Sequence, residues 1–411
     1  MRETTDKQFL ADFQAMSANG ATPGGGVERQ AASEGDNLNR AWFHDVLESL
    51  GARVLYDDIG NQYGLFELKP GAEYVGLGSH LDSQPLAGRF DGAYGVLAAA
   101  HAAGRVVKSE TEARYNLAVI NWFNEEGSRF SPSMMGSSVF TGTLALERAR
   151  SVTDLAGVTV AQAQEAAGWS PRGEAPTLAA YAEIHVEQGK QLEASGNTIG
   201  LVTATWGAKK FQAVVSGEQG HTGSTLMADR HDALFGASLI IAEVERLTHE
   251  FEAGQLQASV SQLTLEPNSP VTIAREVRFN VDVRSPSTEV LDKAQKRLQE
   301  IIGAAEEESR TSVELIPTHE WALNPYPAAG VALAREVVEE LGYPHQEIYT
   351  VAGHDSTNLK EIVPTVMLFI PSVDGISHNE KEFTTEADCL AGLDVFMHVA
   401  QRLVTSGCEE N

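Results

Sequence analysis

Cysteine is nearly absent from this chain: Cys389 and Cys408 are the only two in 411 residues. Two cysteines cannot build a disulfide framework. The opening segment MRETTDKQFL lacks the apolar core of a secretion signal. No apolar run approaches the roughly 20 residues that a membrane helix needs. We therefore expect a cytoplasmic protein with no membrane partner.

Basic residues are also scarce, with 30 Lys and Arg against 57 Asp and Glu, which gives a formal net charge of −27. A charge of this sign repels nucleic-acid phosphates, so we expect a small-molecule substrate and no nucleic acid. A chain of 411 residues exceeds what one hydrophobic core usually organises. Two domains are therefore expected.

Strand and helix patterns alternate in the first part of the chain. EYVGLGSH and YNLAVINWF are predicted strands, and GVLAAAHAAGRVV between them is a predicted helix. VLYDDIGNQYGLFEL is interpreted as one further strand. This alternation predicts an α/β fold with a mostly parallel sheet.

The pattern changes in the middle of the chain. Strands are predicted at FQAVVSGE, ASVSQLTLEP and EVRFNVDVRS, and long helices at HDALFGASLIIAEVERLTHEF and TEVLDKAQKRLQEIIGAAEEE. These elements suit two helices packed on a small antiparallel sheet. After LIPTHEWALNPYP the α/β pattern returns. We expect a larger domain of residues 1–205 and 319–411, interrupted by a smaller α+β domain of residues 206–318, with hinges near Thr205 and Thr318.

Side chains that suit metal binding occur at five positions that follow predicted strands or open a helix. They are His80, Asp91, the adjacent pair Glu125 and Glu126, His185 and His378. The carboxyl ends of parallel strands meet at one edge of a sheet, where these side chains can converge. Imidazole and carboxylate suit Zn²⁺ or another first-row divalent ion, and the lack of cysteine ligands disfavours a closed structural zinc site. Three histidines and two carboxylates suit two ions that share a carboxylate.

Two neighbouring carboxylates have separate expected roles. Asp82 lies two residues after His80 and can hold the far ring nitrogen of that imidazole. Glu125 and Glu126 are adjacent and cannot easily bind the same ion. One of the two glutamates can ligate while the other serves as general base.

An ordered set of motifs resembles one known family, the hydantoinase/carbamoylase amidases. That family includes N-carbamoyl-L-amino-acid hydrolases, β-ureidopropionases and allantoate amidohydrolases. The resemblance covers nearly the whole chain and rests on GSHLDSQPLAGRFDG, NEEGSRF, HVEQG, GEQGHTGSTLMADRHDAL, DVRSP, AGHDS and PSVDGISHNEKEFT. It implies a metallohydrolase domain interrupted by a lid and dimerisation domain, in a homodimer.

The resemblance also implies the ligands of two divalent ions, which would be Zn²⁺, Mn²⁺, Co²⁺ or Ni²⁺. One ion would be held by His80, Asp91 and His185, and the other by Asp91, Glu126 and His378. Asp91 would bridge the two ions. By the same resemblance, Glu125 would be the general base.

Substrate contacts are implied in both domains. His221 would reach a substrate carbonyl across the dimer, and Gln188 and Arg284 would bind substrate. Arg284 suits a carboxylate because a guanidinium makes two parallel hydrogen bonds to it; it can equally pair with Asp282 or Glu289 in its own chain. His354 is interpreted as a supporting or substrate-contact residue, with a structural turn as the alternative.

Some positions depart from the family pattern. Val271 stands where relatives carry an asparagine that helps to hold the substrate carboxylate, and Leu226 stands where they usually carry proline. Ala274 and Arg275 replace a Pro-Gly pair, and Asn268 or Arg275 can compensate for the missing asparagine. The change at Val271 leaves carboxylate recognition open.

The function expected from the sequence is hydrolysis of the linear C–N bond of N-carbamoyl amino acids to amino acid, ammonia and CO₂. The alternatives are an allantoate amidohydrolase, an aminoacylase or peptidase-like amide hydrolase, and a binding scaffold that retains metal without catalysis. Glu125 argues against the scaffold, because a pure binding site needs no unligated base beside its metals. His101, on a predicted helix, is interpreted as structural.

Overall fold

The computed structural model describes residues 2–109 and 112–408. The chain divides into two compact units. The larger unit contains the residues up to Thr203 and those from Tyr326 onward, and the smaller unit is Ala204–Pro325. The second boundary lies beyond the expected hinge at Thr318, because Thr318 is inside a strand of the smaller unit.

The strands are numbered through the whole described chain. They are β1 (Arg53–Tyr56), β2 (Gln62–Phe66), β3 (Tyr74–His80), β4 (Asn116–Trp122), β5 (Leu178–Val186), β6 (Ile199–Thr205), β7 (Gly207–Ser216), β8 (Gly220–His221), β9 (Gln257–Glu266), β10 (Thr272–Ile273), β11 (Glu276–Ser285), β12 (Ser312–Trp321), β13 (Asn324–Pro325), β14 (His345–Thr350) and β15 (Thr365–Ile370).

The α-helices are numbered in the same way. They are α1 (Asp6–Ala18), α2 (Glu34–Leu50), α3 (Ala93–Lys108), α4 (Met135–Phe140), α5 (Leu146–Ser151), α6 (Val160–Ala166), α7 (Gln191–Ser195), α8 (Ala233–Leu247), α9 (Thr288–Ser309), α10 (Ala328–Leu341), α11 (Asp355–Leu359) and α12 (Glu386–Ser406). Within the described ranges, no helix combines the length and apolar character needed to cross a membrane.

The larger unit is built on one mixed sheet with the strand order β1-β2-β4-β3-β5-β15-β6, and β14 also pairs with β6. The central strands β4, β3, β5 and β15 run parallel, whereas β1, β2 and β6 pair antiparallel. The predicted α/β class with a second domain is confirmed, and its sheet is parallel only at the centre. The parallel centre brings the carboxyl ends of four strands to one edge.

The antiparallel side of this sheet begins with a hairpin. VLYDDIGNQYGLFEL forms two strands, β1 and β2, rather than the single predicted strand. Asp57 ends the first strand, because its Oδ1 accepts hydrogen bonds from the backbone N–H groups of Ile59, Gly60 and Asn61. A short connection of this kind joins antiparallel neighbours, which explains why this part of the sheet departs from parallel order.

Helix α3 anchors the core of the larger unit. It packs against β3, β4, β5 and α12, and nearly all of its residues are buried. Small side chains allow this close approach: a Cβ at Gly95 would lie only 2.2 Å from the backbone oxygen of Ile184 in β5. The helix starts two residues after Asp91, so its packing holds that carboxylate at the edge where the parallel strands end.

The smaller unit contains a four-stranded antiparallel sheet in the order β12-β7-β11-β9. Helices α8 and α9 pack against each other and against β7 and β11. The fourth strand, β12, was not predicted, because LIPTHEWALNPYP was noted only as the segment after which the α/β pattern returns. Pro317 is tolerated there since β12 is an edge strand, and the pairing register shifts between Pro317 and His319.

Candidate metal centre

The five expected metal ligands meet at the carboxyl edge of the parallel strands. His80 is the last residue of β3, His185 lies near the end of β5, Glu126 follows β4, and His378 follows β15. Asp91 precedes α3. All except His378 have buried side chains, and the side chain of His378 is 48% exposed.

Asp91 lies between two groups of donor atoms. Its Oδ1 is 3.1 Å from His185 Nε2 and 3.5 Å from His80 Nε2. Its Oδ2 is 3.2 Å from His378 Nε2, which is itself 3.4 Å from Glu126 Oε2. In each group of three residues, the donor atoms lie within 4.8 Å of one another. Each oxygen of one carboxylate therefore faces a separate set of donors.

Opposite charges stabilise one another in this cluster. Burial alone would raise the pKa of Asp91, but hydrogen bonds from His185, His378 and His80 in their protonated forms hold that pKa well below its usual range. Burial disfavours the charged form of His378, yet Asp91 and Glu126 raise its pKa to about 9. Burial and the charge of Asp91 raise the pKa of Glu126 to about 7. The site therefore concentrates carboxylates that a cation would stabilise.

Backbone carbonyls orient two of the imidazoles. His80 Nδ1 lies 3.0 Å from the backbone oxygen of Asp82, and His185 Nδ1 lies 2.9 Å from that of Val186. A carbonyl only accepts, so each neutral ring carries its proton on Nδ1 and turns an unprotonated Nε2 toward Asp91. This is the tautomer that binds a metal through Nε2.

Glycine at position 92 makes room for His80. Its φ of +62° lies in the left-handed region, and a Cβ there would lie 2.3 Å from the His80 ring. Only glycine at position 92 therefore allows the chain to turn from Asp91 into α3 beneath the His80 imidazole.

Asp82 supports the site differently from the expectation. The His80 ring bonds to its backbone oxygen, whereas its carboxylate Oδ1 is 3.7 Å from His80 Nδ1. The Asp82 carboxylate instead accepts hydrogen bonds from the backbone N–H groups of Glu125, at 3.1 Å, and Glu126, at 3.2 Å. The Asp82 carboxylate thus holds the loop that carries both glutamates and makes no hydrogen bond to the His80 ring. It takes this position because the N–H groups of Glu125 and Glu126 need an acceptor.

Glu125 points to a different neighbour from Glu126. Its Oε2 is 3.4 Å from His80 Nε2, and its side chain is 8% exposed. Burial raises the pKa of Glu125 well above its usual range, and the charges of Asp355 and Glu126 add to that shift, while His80 opposes it. Glu125 is thus a buried carboxyl with a high proton affinity beside the donor cluster.

Gln188 and His354 both adjoin the cluster. Gln188 Nε2 donates to Asp91 Oδ2 at 2.8 Å and to the hydroxyl of Ser377 at 3.0 Å. His354 is buried, with its Nε2 3.1 Å from Thr350 Oγ1 and its ring centroid 4.6 Å from that of His185. Gln188 therefore contacts the Asp91 carboxylate directly, whereas His354 packs against the His185 imidazole.

Two further residues support the cluster and were not predicted. Glu382 Oε1 accepts the backbone N–H groups of Phe90 and Asp91, both at 3.0 Å. Gln84 Nε2 donates to Glu126 Oε2 at 2.9 Å. Glu382 lies inside the motif PSVDGISHNEKEFT and Gln84 inside GSHLDSQPLAGRFDG. Nothing in their spacing ties them to particular ligands, so only the structure assigns them this role.

Four sequence-predicted residues lie in the smaller unit. His221, on β8, pairs with Thr272 of β10, and its Nδ1 accepts the N–H groups of Gly223, at 3.0 Å, and Ser224, at 3.1 Å. The neutral ring therefore carries its proton on Nε2, in an exposed side chain. Val271 is 59% exposed, and its backbone oxygen accepts from Thr222 beside His221.

The other two residues of this group have different surroundings. Arg284 donates to both carboxylate oxygens of Asp282, at 3.0 and 2.6 Å. The structure thus contains the internal pairing that was one of the two interpretations of Arg284. Asn268 is exposed on the connection between β9 and β10.

Comparisons with known proteins show similarity to one family of hydrolases along nearly the whole chain. Residues 76–402 match the family described as Peptidase family M20/M25/M40. A Mycolicibacterium smegmatis protein described as a hydrolase is 50% identical over 97% of this chain and 93% of its own length. The N-carbamoyl-L-amino-acid amidohydrolase of Rhizobium meliloti is 33% identical over 97% of this chain and 96% of its own.

A solved structure extends the likeness to the fold. The Burkholderia vietnamiensis amidase of the hydantoinase/carbamoylase family has a TM-score of 0.94 and 34% identity to this chain, with 98% of each chain covered.

Proposed function

The chain belongs to Peptidase family M20/M25/M40, and from this premise we propose that it is a di-metal amidohydrolase of N-carbamoyl amino acids. It is a hydrolase, and the resemblance to hydantoinase/carbamoylase amidases is confirmed. The observation that carries the proposal is the placement of Asp91, whose two oxygens face two separate groups of donors.

The donor set fits two divalent cations. His80 and His185 would hold one, His378 and Glu126 the other, and Asp91 both. Imidazole and carboxylate donors suit Zn²⁺, Mn²⁺, Co²⁺ or Ni²⁺. When bound, the ions would polarise the scissile carbonyl and lower the pKa of a water at the site.

Glu125 is the proposed general base and then acid. It would take a proton from the attacking water and deliver it to the leaving amino-acid nitrogen. Its buried carboxyl, with a raised pKa, favours holding that proton between the two steps. One water is consumed: the C–N bond breaks to give the amino acid and carbamate, which decomposes to ammonia and CO₂.

Substrate binding is proposed for residues of both units. Gln188 contacts Asp91 and can orient a group beside it. His221 would donate its Nε2–H to a substrate carbonyl oxygen, and Arg284 and Asn268 would recognise the substrate carboxylate. His354 would hold His185 from behind. The assembly is proposed to be a homodimer.

Ammonia release by the metal-reconstituted protein tests this proposal. The substrates are N-carbamoyl-L- and D-amino acids, N-carbamoyl-β-alanine, allantoate and N-acetyl amino acids. We expect ammonia from at least one carbamoyl amino acid. Turnover of allantoate alone would make the chain an allantoate amidohydrolase, and cleavage of acetyl compounds without ammonia would make it an aminoacylase.

A further inference from the structure

A glycine-rich loop of residues 20–27 lies between α1 and α2 and contains none of the proposed metal ligands. Its backbone closes on itself, since the Thr22 N–H donates to the Gly26 oxygen at 3.0 Å and the Gly25 N–H donates to the Thr22 oxygen at 3.1 Å. The loop therefore has a defined shape. Its two sides contact different parts of the larger unit.

One side of the glycine-rich loop pairs with the segment that leads to Asp91. Val27 and Ala87 exchange both backbone hydrogen bonds, each at 2.9 Å. Gly26 lies so close to this segment that a Cβ there would be 2.2 Å from the backbone oxygen of Ala87. Ala87 precedes Asp91 by four residues. The loop is therefore fixed to the chain segment that presents the carboxylate between the two donor groups.

The other side of the loop holds the side chain of Glu380, which comes two residues after His378. Thr22 Oγ1 donates a hydrogen bond to Glu380 Oε1. The neighbouring glycines leave room for this side chain: a Cβ at Gly24 would lie 2.2 Å from Glu380 Oε2, and one at Gly26 would lie 2.9 Å from Glu380 Cα. Only glycine at these two positions allows Glu380 to keep its present position.

His378 has a strained backbone. Its φ of +51° lies in the left-handed region, which is disfavoured for a residue with a side chain. The turn that follows is closed by Asn379, whose backbone oxygen accepts the Glu382 N–H and whose Oδ1 accepts the Lys381 N–H, both at 2.9 Å. A strained residue persists only where surrounding contacts hold it. Glu380 lies inside this turn, so its bond to the glycine-rich loop supplies such a contact.

The three histidines of the candidate metal centre differ in what fixes them. His80 and His185 are buried in the central strands β3 and β5, and the hydrogen bonds of the sheet set their positions. His378 follows β15, and its side chain is 48% exposed. Loosening the contact with the glycine-rich loop should therefore move His378 and leave the other two imidazoles in place.

We infer that Glu380 is a positioning residue for His378 and that the glycine-rich loop holds Glu380 in place. This contact would set the affinity of the ion proposed at His378, which is called the second ion below. The first ion, proposed at His80, would not depend on it. The inference rests on the proposed di-metal function, and it adds that one ion site depends on a loop far away along the chain.

Equilibration of the full chain with chelator-buffered Zn²⁺, followed by metal analysis, tests the inference by counting ions per chain at each free Zn²⁺ concentration. Thr22→Val removes the hydroxyl and keeps the shape of the side chain. We expect its second ion to need about tenfold more free Zn²⁺ than in wild type, and its first ion to bind with unchanged affinity. His378→Ala identifies the binding step of the second ion. Thr22→Ser keeps the hydroxyl and is the matched control, which should bind both ions like wild type.

Variants of the partner positions test the same contact from its other side. Gly24→Ala places a Cβ where the Glu380 carboxylate lies, so it should weaken the second ion to a similar extent. Glu380→Ala should have the same effect, whereas Glu380→Gln keeps an acceptor for the Thr22 hydroxyl and should recover most of the affinity. Because Thr22 and Glu380 would act through one contact, the double variant Thr22→Val/Glu380→Ala should bind the second ion no more weakly than Glu380→Ala alone.

Hydrogen exchange of the metal-free chain gives a readout that needs no ion. We expect faster exchange over residues 376–382 in Thr22→Val than in wild type or Thr22→Ser, since the turn would lose its contact with the loop. A wild-type chain that binds fewer than two ions would refute the di-metal proposal, and the exchange rates would then decide the positioning of His378 alone.

Several results would overturn the inference. They are equal exchange over residues 376–382 in wild type and Thr22→Val, second-ion affinity unchanged in both Thr22→Val and Gly24→Ala, equal weakening of both ions, and a loss in Thr22→Ser that matches the loss in Thr22→Val. Thermal unfolding establishes that each variant is folded before metal is added.

Discussion

Glu382 fixes Asp91 through the backbone: its Oε1 accepts the Asp91 N–H at 3.0 Å and the neighbouring Phe90 N–H at the same distance. Gly88 permits this contact, since a Cβ there would lie 2.2 Å from the Glu382 carboxyl carbon. Burial and the charge of Asp91 raise the pKa of Glu382 to about 7. The residue proposed to join two ions is therefore held by a carboxyl that is not itself among the proposed ligands.

We expect Glu382→Ala to lower metal affinity about 10- to 100-fold, the usual effect of removing a group that orients a ligand. Two buried N–H groups would lose their acceptor, and Asp91 would lose its fixed position. Glu382→Gln keeps an acceptor oxygen and should recover most of the affinity. Metal titration of both variants is the measurement, with Glu386→Gln, on the exposed start of α12, as the control. Wild-type affinity in Glu382→Ala would refute this role.

Gly92→Ala should prevent His80 from occupying its present position. The added Cβ would lie 2.3 Å from the imidazole, and the φ of +62° disfavours any side chain. We expect reduced metal content and a lower melting temperature. Gly303→Ala is the control, because no atom lies within 4 Å of its added Cβ and it sits inside α9, where alanine favours the helix by roughly 0.5–1 kcal/mol. A Gly92→Ala protein with normal metal content would contradict the packing argument.

Hydrophobic periodicity in the sequence was sufficient to predict most of the fold. EVRFNVDVRS was predicted as a strand, and β11 spans those same residues, Glu276–Ser285. It alternates strictly between buried and less buried positions, which is the pattern that strand prediction detects. The β1–β2 turn was missed because its cause is the side chain of Asp57, which competes locally for backbone N–H groups.

The donor cluster was predictable because its residues follow strand ends, and parallel strands bring such positions together. The contacts that hold these donor residues in place could not be predicted from the sequence. Asp82 was assigned to His80 from its spacing, yet its carboxylate serves the loop after β4, since the backbone direction of that loop is set by tertiary structure. Glu382 reaches Asp91 from 291 residues away along the chain. No local pattern encodes such a contact.

Glu125→Gln should retain metal and lose hydrolysis. The amide cannot accept the proton of the attacking water, so we expect turnover to fall about 10²- to 10⁴-fold. Glu126→Gln is the informative counterpart, because it removes a proposed ligand near His378 and should lower the metal content. Metal analysis and ammonia release are measured on both variants. Loss of metal from Glu125→Gln, with metal retained in Glu126→Gln, would exchange the two assignments.

His221→Ala should lower turnover and leave metal content unchanged, since no proposed ligand lies in the smaller unit. Two backbone N–H groups bond to Nδ1 and leave the proton on Nε2, so the variant removes one hydrogen-bond donor. We expect a loss of roughly 10²- to 10³-fold in kcat, as for other donors to a developing oxyanion. His249→Ala, in the same unit, is the control. Unchanged kcat would remove His221 from the reaction.

A buried pair remote from the metal centre predicts how stability changes with pH. His101 Nε2 lies 2.9 Å from Asp12 Oδ2, and Arg2 also bonds to Asp12. Burial opposes ionisation of Asp12, but hydrogen bonds from His101, Arg2 and Gln8 lower its pKa to about 2. Between about pH 4 and pH 2, Asp12 is therefore protonated to a greater extent in the unfolded chain than in the folded chain. The stability that Asp12 contributes is present above pH 4 and is lost as the pH falls through 2.

Asp12→Asn should accordingly lower the free energy of unfolding most at pH 5–7 and progressively less below pH 4. Burial also lowers the pKa of His101, so protonation of this imidazole in the unfolded chain below about pH 6.5 adds to the acid destabilisation. Urea unfolding from pH 7 to pH 3 gives the difference between the two proteins. Asp6→Asn, at the exposed start of α1 beside Arg105, is the comparison for loss of a solvent-exposed carboxylate. A difference that stays constant through pH 3 would mean that Asp12 acts by packing and not by its charge.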